Sequence, residues 1–308
     1  KEINTMKKYI LTAIFLGGFA VTHAQQLQNS SFYDMQGILS NPSVAGVQQD
    51  ENVKAVIGAT YRTQWSGISG SPQTFTAFGS FNLPKSQIGI GAYAYNDKTG
   101  PTSRTGLEVA LAKHINFNDG GTFSLGIETR FQQYAIDMNK LSDALGTNDP
   151  VLGAKDNRFK FDAGFGLSYT NKKWQIGASV SQLIQSKLDV YSGNLSRTEE
   201  ARLYRHYYFH GLYNWNVDGF TTITPHFIVT YLPNAPTDVT AGIRVSHHNL
   251  LWWGVGYRST QSVMLSAGLH IKKSLTLGYA YDVYKNPVGL FNGGNAAHEF
   301  ILSYQFRK

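Results

Sequence analysis

From about residue 54 to the end of the chain, apolar and polar positions alternate with a period of two. Within Phe159–Tyr169, one face carries Phe159, Phe161, Ala163, Phe165, Leu167 and Tyr169, and the other carries Lys160, Asp162, Gly164, Gly166 and Ser168. Phe123, Leu125, Ile127 and Phe131 alternate in the same way with Ser124, Gly126, Glu128, Arg130 and Gln132. Val239, Ala241, Ile243 and Val245 do so with Thr240, Gly242, Arg244 and Ser246. Successive strand residues point to opposite faces, so each segment predicts a strand that is apolar on one side and polar on the other. Fourteen such strands are expected, near 54–63, 74–82, 87–96, 104–114, 121–134, 158–169 and 173–182, then 203–215, 220–231, 237–247, 250–258, 262–271, 274–283 and 297–306. Most have the ~9–11 residues that a tilted strand needs to cross a bilayer.

The connections alternate between two sets. One set is mostly long: Gln64–Gln73, Asp97–Ser103, Ala135–Asn157, Leu183–Arg202, Leu232–Pro236, Ser259–Gln261 and Tyr284–Ala296. The other is short: Leu83–Ser86, Ile115–Gly120, Thr170–Lys172, Asn216–Gly219, His248–Asn249 and Lys272–Lys273. This is the pattern of an all-β, closed, up-and-down antiparallel transmembrane barrel of about 14 strands, with short periplasmic turns and longer extracellular loops. An even strand number places both termini on the short-turn side, so the expected location is the outer membrane with periplasmic termini.

Aromatic placement agrees with a membrane. Tyr61, Trp65, Tyr134, Tyr231, Tyr257 and Tyr281 lie near the long-loop ends, and Tyr169, Trp174, Trp215, Tyr304 and Phe306 near the short-turn ends. Two belts of amphipathic rings suit the two membrane–water interfaces. In hydrocarbon every backbone donor and acceptor needs an internal partner, so a β-chain spans only as a closed barrel. Its apolar face then meets lipid, and the charged residues Glu128, Arg130, Lys160, Asp162, Arg244, Asp282 and Glu299 face the lumen. Moving an Arg or Lys to the lipid midplane costs roughly 2–4 kcal/mol, which specifies that register.

Composition supports this picture. Only 15% of residues are charged, while 31 of the 308 are Gly and 13% are aromatic. The chain has no Cys, which excludes a disulfide framework and Cys-ligated metals. Its 27 basic and 20 acidic residues give a formal net charge of +7, scattered without a basic block, so nucleic acid is not an expected partner. Lys7 and Lys8, the apolar run Ile10–Val21 and Thr22-His23-Ala24 read as a secretory signal peptide starting at Met6. The expected organisation is therefore 1–24 pre-start residues and signal peptide, 25–52 a periplasmic N-terminal segment, and 53–308 the barrel. Residues 25–52 are too polar to span, and are expected to tuck into or under the periplasmic mouth.

No catalytic chemistry is apparent. The sequence lacks a G-x-S-x-G elbow, a Walker loop, H-E-x-x-H and a Rossmann fingerprint. His206 and His210 share one strand face but lie ~13 Å apart at ~3.3 Å per residue, so they read as lumen-facing polar residues rather than a chelate. Glu128 with Arg130 and Lys160 with Asp162 fall on neighbouring strands and suggest a lumenal ion-pair lattice. No catalytic residue, metal site or cofactor is expected.

Several blocks resemble a known family. Asn41-Pro42-Ser43-Val44-Ala45-Gly46 is similar to an early N-P-A-x-A-G element, with Ser43 in place of Ala. Tyr61-Arg62-Thr63-Gln64-Trp65-Ser66-Gly67-Ile68 followed by Ser71-Pro72-Gln73-Thr74-Phe75 resembles Y-R-x-Q-W-x-G-I … P-x-T-F. Gly278-Tyr279-Ala280-Tyr281-Asp282 and His298-Glu299-Phe300-Ile301-Leu302-Ser303-Tyr304 resemble G-Y-x-Y-D and H-E-I-x-L-x-Y. Together they look like the PorP/SprF family, outer-membrane proteins of the type IX secretion and gliding machinery of Bacteroidota. The resemblance implies a non-enzymatic component that helps export or anchor a secreted protein bearing a C-terminal sorting domain. It also implies periplasmic type IX secretion components as partners, beside outer-membrane lipid. The motif residues Asn41, Pro42, Arg62, Gln64, Trp65, Gly67, Pro72 and Thr74 are then candidates for partner docking or for fixing the first hairpin. In the hairpin reading, Arg62 forks onto a carboxylate or carbonyls at the rim and Trp65 anchors the strand end at the interface.

A passive porin is the competing function. Inward Gly126, Gly164, Gly166, Gly242 and Gly268 leave space beside the charged pairs, and the sequence does not say whether that space is open. By position, the loops Ala135–Asn157 and Leu183–Arg202 are the expected seat of partner selectivity.

Overall fold

A computed structural model describes residues 29–140, 156–187, 203–233, 235–259, 262–284 and 296–307. The expected signal peptide and large parts of Ala135–Asn157, Leu183–Arg202 and Tyr284–Ala296 lie outside them. The first seven strands are β1 (Val53–Gln64), β2 (Gln73–Leu83), β3 (Ile88–Thr99), β4 (Thr102–Asn116), β5 (Thr122–Ile136), β6 (Asp156–Thr170) and β7 (Trp174–Ser181). The other seven are β8 (His206–Tyr213, continued by Trp215–Asn216), β9 (Thr221–Tyr231), β10 (Asp238–His247), β11 (Leu251–Arg258), β12 (Ser262–Ile271), β13 (Leu275–Tyr284) and β14 (Ala296–Arg307). Each strand pairs antiparallel with its sequence neighbours, and β1 pairs with β14 from Val53↔Arg307 to Gln64↔Ala297. The sheet is therefore a closed 14-strand barrel.

Alternation sets the two faces as expected. Phe159 (76% exposed), Phe161, Phe165 and Leu167 point outward, whereas Asp162, Gly164, Gly166 and Ser168 are buried inside. Glu128, Arg130, Asp282 and Glu299 are also buried within the barrel, and Lys160 and Arg244 are half-buried. One expected long connection is in fact short. The Asp97–Ser103 loop collapses because β3 runs on to Thr99 and β4 starts at Thr102, leaving Gly100 (φ 55°) and Pro101 to turn the chain.

The interior is not simply wet. Residues 30–46 lie inside the lumen with two 3₁₀ turns, Gly37–Leu39 and Pro42–Val44. Phe32, Ile38 and Ala45 of this plug pack against Phe78, Tyr93, Ala110, Ala112, Trp252 and Ile301 of the wall. Phe32 meets Trp252 edge-on at 6.0 Å between ring centroids. An apolar core thus forms between plug and wall, which the period-two pattern alone did not require.

Candidate functional site

The plug runs the length of the lumen. Ser30 and Ser31 lie beside Glu299, Asp282 and Arg258, near the long-loop ends of β14, β13 and β11. Near the short-turn ends of β2 and β3, the Gly46 amide donates to Ser80 Oγ at 2.7 Å. At the far end, Asn214 Nδ2 donates to Gln49 Oε1 at 2.8 Å, and Asp50 pairs with Arg307, both beside the short turns. Arg307 therefore closes the barrel at the short-turn end, whereas Ser30 and Ser31 lie at the opposite one. An even strand count fixes where β1 begins but not where the segment before it goes. The expected gathering of both termini on one side involves residues 1–28, which lie outside the described residues.

Three of the sequence blocks meet in one buried cluster. Arg62 of β1 is turned inward, 3% exposed, and its Nη2 donates to Asp282 Oδ2 at 2.7 Å and to the Tyr284 hydroxyl at 2.9 Å. Its Nη1 donates to Glu299 Oε2 at 3.1 Å and to Ser31 Oγ at 2.7 Å. Glu299 also accepts from Ser30 Oγ at 2.6 Å and from the Ser31 amide at 2.7 Å. Arg258, which sequence reasoning did not single out, donates to the Ser30 carbonyl at 3.1 Å and lies 3.9 Å from Asp282. Two guanidinium groups thus face two carboxylates, and Ser30 and Ser31 add further donors and acceptors, while Arg62 Nε and Arg258 Nη1 have no hydrogen bond among the described residues. Charges this deep need such pairing, since an unpaired one would lose its hydration without replacement. Arg62 does fork onto carboxylates, but inside the wall and not at an exposed rim.

Asn41 and Pro42 fasten the plug lower down. Asn41 caps the Pro42–Val44 turn by accepting from the Ser43 amide at 2.9 Å. Its Nδ2 donates to the Leu167 carbonyl at 3.1 Å and to His210 Nε2 at 3.0 Å. Ser43 Oγ donates to Ser168 Oγ at 2.8 Å. The wall accommodates this contact because Gly126, Gly166 and Gly177 present no side chain. A methyl at Gly126 would strike the Pro42–Ser43 backbone, and one at Gly166 the Asn41 side chain. The other expected lumenal glycines are filled from the wall itself: Gly164 by Glu128, Gly242 by His226 and Gly268 by Trp252.

Two further ionic groups line the lumen. Arg244 pairs with Asp34 of the plug at 2.5 Å, with His226 Nε2 at 3.7 Å from the same carboxylate. Arg130 pairs with Glu108 at 2.5 Å and Glu128 at 3.0 Å, and Ser181 Oγ donates to Glu128 at 2.7 Å. The expected Glu128–Arg130 pair is present, but the second partner of Arg130 is Glu108. Although Arg130 stands opposite Asp162 in register, Asp162 accepts from the Ala163 and Ile184 amides. Glu108 was missed, yet Leu107, Val109 and Leu111 outside mark it as inward by alternation. Asp34, Ser30 and Ser31 carry no such periodic signal.

The remaining motif residues form the first loop. Gln64, Trp65, Pro72 and Thr74 are half-buried and Gly67 is exposed. The Gln64 amide donates to the Pro72 carbonyl at 2.9 Å, and Thr74 Oγ1 donates to Asp97 at 2.7 Å. Trp65 adopts a left-handed backbone (φ 57°) where the strand breaks into the loop.

Comparison with known proteins identifies the lineage. The family described as "Type IX secretion system membrane protein PorP/SprF" matches residues 21–304. The chain belongs to the PorP/SprF family. Among curated proteins none matches it in sequence. In fold, this PorP/SprF member is similar to the CymD monoaromatic hydrocarbon channel, at 9% identity over 89% of this chain and 93% of that one, with a TM-score of 0.53. It is also similar to the Ralstonia pickettii toluene transporter TbuX, at 10% identity over 88% and 93%, with a TM-score of 0.51. These likenesses show an outer-membrane barrel fold. The family is that of a type IX secretion membrane component.

Proposed function

We propose that this PorP/SprF protein is an outer-membrane anchoring component that holds a secreted surface protein, through its C-terminal sorting domain, at the long-loop rim. In this reading the short turns face the periplasm, where the other type IX secretion and gliding components approach, and residues 6–24 are the leader that directs export. The observation that carries it is the occupied lumen. A passive porin needs a continuous aqueous path, and larger barrels of 16–18 strands provide one. Here the plug spans from the Arg62–Asp282–Glu299 cluster to Gln49, pinned by charge-assisted bonds at Ser30, Ser31 and Asp34 and by neutral ones at Asn41, Ser43 and Gln49. Charge-assisted bonds are about twice as strong as neutral ones, which favours a closed barrel that acts through its surface.

The test has two arms. In planar bilayers the purified protein should give no large, steady ohmic current; such a current would return the function to a porin. A purified sorting domain should bind the reconstituted barrel, and Trp65→Ala should weaken binding several-fold without altering the barrel. Failure of every sorting domain to bind would remove the anchoring reading.

A further inference from the structure

The chain's basic residues look scattered in sequence, but the fold gathers many of them at one rim. Lys85 lies in the β2–β3 turn, Lys113 near the foot of β4, Lys172 and Lys173 in the β6–β7 turn, and Lys272 and Lys273 in the β12–β13 turn. All six are exposed. Lys54 and Arg307 add to them where β1 meets β14. Four acids share this end, and each is already engaged. Asp50 pairs with Arg307 and Glu51 with Lys172, while Asp119 and Asp218 accept from amides of their own turns. The short-turn rim therefore carries a basic arc that runs from the β12–β13 turn past β14 and β1 to the β6–β7 turn.

We propose that this arc binds the anionic phosphate headgroups of phospholipids in the adjoining leaflet. Three observations favour lipid. First, the charges border an outward aromatic and aliphatic belt: Trp174 follows Lys173, Phe306 precedes Arg307, and Ile115 and Phe117 lie just beyond Lys113. Lys113 itself faces outward, between Leu111 and Ile115, with Nζ reaching the Ser86 carbonyl at 2.8 Å. Second, the turns are too short to lift their lysines clear of the membrane. These turns have three or four residues between strand ends and must go out and back. Their tips rise at most about two residues, ~7 Å at ~3.3 Å each, within the ~5–8 Å headgroup layer on either side of the hydrocarbon. Third, Lys272 and Lys273 both occupy left-handed backbone (φ 52° and 59°) in a turn closed by the Ser274 amide on the Ile271 carbonyl. That type I′ geometry is where Asn-Gly is usual and where a long L-residue is strained, so two adjacent lysines there point to a role for their charge.

The full chain, reconstituted in vesicles, tests this through quenching of Trp174, Trp215 and Trp253 by brominated phosphatidylglycerol compared with brominated phosphatidylcholine. The wild type should prefer the anionic lipid at least about fivefold at low salt, the effect of roughly one surface lysine, and lose the preference near 1 M salt. The variant Lys113→Gln, Lys173→Gln, Lys272→Asn, Lys273→Gly should fall to near equality. It should fold at least as well, because Asn-Gly suits the turn. Equal quenching by both lipids in the wild type, or an unchanged preference in the variant, overturns the proposal. Lysine-dependent retention of poly-L-glutamate on phosphatidylcholine vesicles, without a lipid preference, makes the rim a protein-docking surface and equally overturns it. The result is independent of cargo binding, so it stands or falls apart from the anchoring reading.

Discussion

Arg62 shows how one residue joins wall to plug. Its alternation in β1 places it inside, so its direction was readable from sequence, as was that of Asp282 and Glu299. Its meeting with Ser30 and Ser31 was not, because those residues lie in a segment without periodicity. Removing the guanidinium strands two buried carboxylates, and breaking a buried pair in this way costs about 3–5 kcal/mol. Arg62→Ala is therefore expected to lower the thermal unfolding midpoint and to expose the plug to limited proteolysis. Arg62→Lys should rescue only part of the loss, since a point charge cannot fork onto Asp282 and Glu299 together. A wild-type melting curve in Arg62→Ala would show the cluster to be energetically idle.

At the level of elements, the strands follow from the chain and the plug follows from the barrel. Fourteen strands were legible to within a few residues, because each strand sees lipid on one face and the lumen on the other. The plug segment sees protein on all sides, so its apolar and polar residues keep no single period. Its seat is built from glycines that the strand pattern identified as inward but could not assign to an occupant. Gly126→Val should expel residues 41–43 by direct collision with backbone, which no rotamer relieves. The parent chain has no Cys, so the pair Ser43→Cys and Ser168→Cys should cross-link cleanly in it. That cross-link should fail once Gly126→Val is added, while the barrel remains heat-modifiable on gels. Undiminished cross-linking would mean that the plug tolerates a filled seat.

For the whole molecule, closure and the distribution of charge matter most. The β1–β14 ladder removes both free edges, and a barrel lacking it would leave backbone groups unsatisfied in hydrocarbon. A chain ending at residue 284 should consequently fail to reach an SDS-resistant form in lipid; a stable, inserted truncation would show that closure is dispensable. The sequence by itself determined the strands, their facing and the barrel they close into, because alternation records two contrasting solvents residue by residue. Its motif blocks also carried the resemblance to PorP/SprF. Only the tertiary structure decided that the lumen is filled, that Arg62, Asp282 and Glu299 converge on Ser30 and Ser31, and that lysines more than 180 residues apart share one rim. Those facts depend on which strand ends and turns come together in space, and a local pattern carries no information about such long-range neighbours.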